Sequence, residues 1–181
     1  MGWQNIAELV QNEMGKKQLQ KLVIAVECYH GVFVDEIKAN LQRKFSSATI
    51  IDSTTALKSA ADIEKMVYPF VTDDPVFGYI APLELRDFFD GITIESVQQK
   101  LKEAANTVIV IGQGASLIAP SADLLLYADM PRWEIQLRFR KNSISNIGAE
   151  NKEAEFSYQY KRAFFVDWRV LDRHKKTLMH A

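Results

Sequence analysis

Residues 22–33 read LVIAVECYHGVF. Leu22 to Cys28 form an apolar, β-branched-rich run, and such a run suits a strand covered on both faces rather than one with a wet side. A strand of that kind belongs to a parallel sheet between helical layers, so strands and helices should alternate along the rest of the chain. Three more runs share the character: Thr49 to Asp52 (TIID), Thr107 to Ile111 (TVIVI) and Leu124 to Ala128 (LLLYA). Ala163 to Trp168 (AFFVDW) is a fifth candidate.

Helical stripes lie between these runs. Val34, Ile37, Leu41 and Phe45 form one, Ala60, Ile63, Val67, Phe70 and Val71 a second, and Ile94, Val97, Leu101, Ala104 and Ala105 a third. Upstream, Ile6, Leu9, Val10 and Met14 recur at helical spacing and Gly15 follows, which predicts a helix over Trp3 to Met14. Right-handed crossovers then give an α/β fold: a doubly wound parallel sheet of about five strands in a three-layer sandwich. The strand at 22–27 is expected at the centre, flanked by those at 107–111 and 124–128. Ligands of such sheets bind beyond the carboxyl ends of the strands.

One stretch fits two templates. After Met130-Pro131, the apolar Trp133, Ile135, Leu137 and Phe139 alternate with polar residues, which by period alone says strand. Pro131 suits a first helical turn and a strand candidate has just ended, so helix is the favoured assignment. From Lys141 to Glu153 the chain turns polar (KNSISNIGAENKE), and 141–160 reads as a lid-like segment. Neither an internal repeat nor a linker interrupts residues 1–181, which are taken as a single domain.

Composition sets limits. With 48% hydrophobic and 25% charged residues, 8 Gly and 5 Pro in 181, the chain is neither disordered nor collagen-like. Its 22 basic and 23 acidic residues leave a formal charge of −1, which excludes nucleic-acid binding driven by bulk charge. The lone Cys28 makes no internal disulfide, and the start of the chain lacks a signal-peptide pattern, so a reducing cytoplasm is expected. The charge-free run Asn106 to Ala122 is broken by two Gly, a Gln and a Pro and is no membrane span. Ile6 stands where a myristoylation signal after Gly2 wants Ser or Thr. His30, His174 and His180 lie too far apart to suggest a metal site.

The chemistry of a doubly wound fold is expected at the turn after the first strand, where a helix amino terminus offers free N–H groups to a phosphate. A working phosphate loop needs two glycines five apart, then Lys, then Ser or Thr. Taking Gly31 as the second glycine puts Val26 at the first, Val32 at the Lys and Phe33 at the hydroxyl position. Tyr29-His30-Gly31 is then either a degenerate anion loop or a tight turn in which Gly31 supplies an awkward dihedral. Cys28, at the end of a buried strand, reads as a structural thiol. The run Lys161 to Lys176 carries six basic and two acidic residues, suiting an acidic partner or a solvated helix face.

The order of these features resembles a uridine-kinase-like P-loop domain over about residues 22–142. Thr72-Asp73-Asp74-Pro75-Val76-Phe77 is similar to that family's acidic segment, and Val108 to Gly114 (VIVIGQG) resembles its strand ending in Glu-Gly, with Gln113 in place of the Glu. Asp123 to Asp129 and Arg138-Phe139-Arg140 resemble its fourth strand and arginine-bearing lid helix. The resemblance implies Asp52 as a general base on a substrate hydroxyl and Arg138 and Arg140 as phosphate clamps. The same residues also fit an N-cap (Asp52) and a solvated face or a pair with Glu134 (the arginines).

The phrases ADMPRWEIQLRFR (128–140) and KRAFFVDWRVLDRHKK (161–176) resemble a domain that precedes the catalytic cupin in Bacteroides-type class I mannose-6-phosphate isomerases. That resemblance implies a fragment of a longer chain, a cupin isomerase domain as partner, and zinc held only there, beyond Ala181. The combined expectation is a P-loop-kinase-like domain that has lost phosphoryl transfer, needs no cofactor of its own, and serves a sugar-phosphate isomerase. The alternatives are an active nucleoside or sugar kinase, or a non-catalytic sensor of a nucleotide or sugar phosphate. Any surviving ligand site is expected among Gly31, Asp52, Gln113, Arg138 and Arg140.

Overall fold

The computed structural model describes residues 3–17 and 21–179; Gly2 and His180, both considered above, lie outside them. In chain order the elements are α1 (Trp3–Lys17), β1 (Val23–Cys28), α2 (Val34–Lys44), β2 (Thr49–Asp52), α3 (Ala60–Val71), α4 (Gly91–Glu103), β3 (Val108–Gly112), α5 (Ala115–Ile118), β4 (Leu124–Ala128), α6 (Arg132–Arg140), α7 (Phe156–Arg162) and α8 (Trp168–Met179). Short 3-10 turns occupy Ser53–Ala56 and Leu85–Phe88, and a π turn Ala163–Asp167. The elements group into two compact units. The first comprises residues up to Cys28, Val32–Thr55 and Gly91–Ala128; the second comprises Tyr29–Gly31, Ala56–Asp90 and residues from Asp129 on.

The first unit holds the sheet. Its four strands are parallel, in the order β2-β3-β1-β4, with Val23 opposite Val108, Ile24 opposite Leu124 and Thr49 opposite Val108. The apolar runs pair as parallel strands: β3 is buried along its whole length and β1 nearly so, and the less buried β2 and β4 take the edges. On one face Ile24, Val26, Ile109 and Ile111 pack with Val10 of α1 and Leu41 of α2. Each such side chain removed from water stabilises the fold by about 1.5–3 kcal/mol. On the other face Glu27 receives hydrogen bonds from the start of α5, so helices cover both sides. This is the expected doubly wound α/β arrangement: the chain steps outward from β1 to β2, then back to β3 and past β1 to β4.

Two expectations fail here. The fifth strand, Ala163 to Trp168, is helical: Ala163–Asp167 form a π turn that runs into α8. An aromatic run without turn residues on either side reads the same in a buried strand and a buried helix, and here Ala163, Val166 and Trp168 are buried within helical geometry. Nor does α1 stop at Met14; it passes through Gly15, whose missing side chain meets no neighbour, and ends at Lys17. The end of α4 is fixed by Lys21, whose Nζ donates to the carbonyls of Leu101 (3.0 Å) and Ala104 (2.6 Å).

The second unit is helical around a polar centre. Ser59 caps α3 by accepting from the Asp62 amide (3.1 Å), and α3 ends at Thr72 with φ of 59°, a left-handed value that a β-branched residue adopts only under constraint. The ambiguous 132–140 stretch is helical, with Ile135 and Phe139 buried one turn apart and Trp133 exposed. After it, Asn146, Gln159, Arg162 and Asp167 are all buried. Asn146 donates to Asp167 (2.6 Å) and to the Gln159 carbonyl (3.0 Å), while Arg162 reaches Glu64 and the Ile147 carbonyl (both 2.8 Å). Buried polar groups need partners, and these side chains supply them to the irregular backbone of 141–155. Among the described residues no helix is long and apolar enough to cross a membrane.

Candidate functional site

In the first unit, β2 ends in Asp52. Its Oδ1 accepts from the Thr54 amide (2.9 Å) and hydroxyl (2.6 Å), and its Oδ2 accepts from Lys38 of α2. Both readings of this residue have a structural counterpart: it caps the 3-10 turn that follows, and it holds a charge at the carboxyl end of a strand. Burial on its own raises the Asp52 pKa, but the hydrogen bonds from Lys38 and Thr54 outweigh it and hold the carboxyl below its ordinary value. Lys38 mirrors this: burial lowers its pKa, the contact with Asp52 more than offsets that, and the net shift is upward. The pair lies in an open groove of about 470 Å³ with Asp35 and Gln42.

Gln113 is brought close to this end of β2 through the backbone. Ser53 Oγ donates to the carbonyls of Gln113 (2.7 Å) and Ile111 (3.1 Å), tying the ends of β2 and β3 together. Gly112, at φ of 127°, sits where an added Cβ would collide with that hydroxyl.

Glu27 was missed by the sequence reasoning. It is 1% exposed, and its carboxylate accepts from the Gly114 amide (2.6 Å) and from the amide (2.9 Å) and hydroxyl (2.7 Å) of Ser116. An internal anion therefore takes up the backbone donors of the β3–α5 turn. The available signal was a lone charge inside the run Leu22–Cys28, which only a fully partnered carboxylate tolerates. Next to it, burial and then Glu27 push the Cys28 thiol up to about 12, so it is no nucleophile near neutrality.

In the second unit, Gly31 and Arg138 meet. Gly31 has φ of 84°, which strains any L side chain, and a Cβ there would lie a tight 3.1 Å from Ile135 and 3.3 Å from Ile144. Arg138 Nη1 donates to the Gly31 carbonyl (2.6 Å) while its Nε pairs with Glu134 (2.9 Å). The arginine is thus engaged by backbone and carboxylate together. Arg140 goes elsewhere, its guanidinium carbon 3.9 Å from the centre of the Phe156 ring. His30 is buried, with Nε2–H donating to the Ser145 carbonyl (2.9 Å); desolvation lowers its pKa and keeps it neutral. Tyr29 donates to Asp172 (2.7 Å), which also pairs with Arg132. The turn Tyr29–Gly31 is therefore a packed turn whose groups face the protein. The basic run 161–176 is likewise engaged: Lys161, Arg162, Arg169, Arg173 and Lys175 all bond within the unit.

Fold and site together define an α/β protein of kinase-like architecture in which the turn after β1 leads through Val32 and Phe33 into α2. Among solved structures the chain is similar to a proposed fructose transport system kinase from Silicibacter sp. TM1040, with a TM-score of 0.63 over 96% of this chain and 95% of that one. At 13% identity the likeness is one of fold. The chain belongs to the family described as a domain of unknown function, DUF8485, whose model matches residues 2–181. No curated protein matches the sequence.

Proposed function

We propose that this chain is a kinase-fold domain without phosphoryl-transfer activity, acting as an accessory or regulatory domain of a cytoplasmic sugar-phosphate isomerase. The observation that carries the first half is the turn after β1. Where phosphoryl transfer needs a lysine and a metal-binding hydroxyl, Val32 and Phe33 stand, and Phe33 points 42% of its surface at solvent ahead of α2. Catalysis of that reaction rests on positioned positive charge and magnesium, so losing both groups removes most of the stabilisation of the transferred phosphoryl. The second half rests on the likeness of residues 128–140 and 161–176 to a segment preceding an isomerase cupin. Its test is whether the genomic coding sequence continues into a cupin with histidine and glutamate ligands.

Calorimetry decides the nucleotide question. Magnesium-ATP is expected to give no saturable heat at concentrations up to about 1 mM. A magnesium-dependent dissociation constant near about 1 μM would overturn the reading. It would favour instead an active small-molecule kinase, for which Asp52 supplies the observation: a carboxylate at the carboxyl end of β2 that lines an open groove beside Lys38.

A further inference from the structure

The second unit carries an aromatic groove that the kinase reading does not use. Phe156, Tyr160 and Phe164 recur every four residues along α7 and the π turn, with ring centroids 5.8 and 6.3 Å apart, and Phe165 packs edge-on against Phe164. Val76 and Phe77 complete the walls of a groove of about 490 Å³. Val76 is 64% exposed and Phe77 71%.

These two residues are held out by a built loop. Asp74 Oδ1 accepts from the amides of Val76 (2.7 Å) and Phe77 (2.6 Å), Thr72 Oγ1 donates to the Phe77 carbonyl (2.9 Å), and Lys161 Nζ donates to the carbonyls of Thr72 and Asp74. The left-handed Thr72 starts the loop. A chain that fixes apolar side chains in water through a strained residue and a set of hydrogen bonds is preorganised to cover them with something else.

Charge says what. Arg140 lies over Phe156 at one end of the aromatic ladder and Arg169 over Phe164 at the other, 3.9 and 4.6 Å from the ring centres. Arg169 donates to the Phe164 carbonyl (3.0 Å), and neither guanidinium has a carboxylate within ion-pair distance among the described residues. The aromatic ladder thus carries a cation at each end, while Asp73 and Asp74 at the Val76–Phe77 side are bonded to Tyr68 and to the loop amides, so the ladder side complements a segment with apolar anchors flanked by anions.

We propose that this groove docks a short acidic peptide segment whose aromatic or branched aliphatic side chains seat against Phe77 and the Phe156–Tyr160–Phe164 ladder. The proposal stands apart from the nucleotide reading and survives either outcome of that calorimetry.

The test is selection from a random peptide display library on the immobilised full chain, followed by fluorescence anisotropy of the enriched peptides. Enriched sequences are expected to combine Asp or Glu with Phe, Trp, Leu or Ile. Their affinity should fall about tenfold for Phe77→Ser and for Arg140→Ala combined with Arg169→Ala. Phe77 is exposed, so its variant should keep the parent's circular dichroism and melting temperature. Absence of enrichment, enrichment indifferent to acidic content, or binding unchanged by these variants overturns the proposal. So does self-association of the chain by sedimentation that disappears in Phe77→Ser, since the groove would then belong to a second copy.

Discussion

Asp52 and Lys38 hold their charges against a burial that opposes both, so their contribution to stability has two edges in pH. The Asp52 pKa lies below its ordinary 3.8, so the carboxylate stabilises the fold above that value and the contribution is lost as pH falls through the lower, folded value. Lys38 is shifted upward, so its contribution is complete below 10.5 and is lost as pH rises through the folded value. Between these edges Asp52→Asn should lower the melting temperature by roughly 2–4 °C, about 1 kcal/mol for a part-exposed pair that also caps a turn. In melts at pH values stepped down from 3.8, variant and parent should draw progressively together. His30 runs the other way from Lys38. Its depressed pKa makes the fold's stability complete above 6.5 and progressively weaker as pH falls from there toward the folded value. His30→Gln should cost stability at neutral pH, yet flatten the fall of melting temperature as pH drops below 6.5. Gly112→Ala tests sterics alone: an L side chain at φ of 127°, directed at Ser53, is expected to destabilise by about 1–3 kcal/mol in urea titrations.

The elements divide by how much of their cause is local. Strands β1, β3 and β4 were legible because an apolar run of five or six residues, interrupted only by Glu27 in β1, has few other places to go, and β1 lies between β3 and β4 as expected. Helix α6 was legible only through Pro131, since its apolar alternation also fits a strand. AFFVDW was misread because its cause is distant: α7 and α8 flank it, and the extra residue of the π turn brings Asp167 to Asn146. The site shows the same division. Asp52 ends β2 and Gln113 follows β3, and both could be placed from sequence, but the meeting of Gly31 with Arg138 spans a separation of 107 residues and leaves no local trace. Glu27 sits between these cases. Glu27→Ala would strand the amides of Gly114 and Ser116 and is expected to cost about 1–3 kcal/mol in denaturant titrations, with an unchanged m-value. Glu27→Gln, with one oxygen for two amides, should fall between.

At the scale of the molecule, neither compact unit is a continuous stretch of chain. The backbone passes from one unit to the other five times, at 28/29, 31/32, 55/56, 90/91 and 128/129. The sheet of the first unit is completed only by β4, which ends at Ala128, and the second unit draws on both residues 29–31 and everything after Asp129. The interleaving constrains how such a gene can change. A recombination breakpoint anywhere between codons 32 and 128 divides both units, so neither is encoded as one contiguous cassette. Shuffling that keeps either unit whole must carry the entire stretch at once.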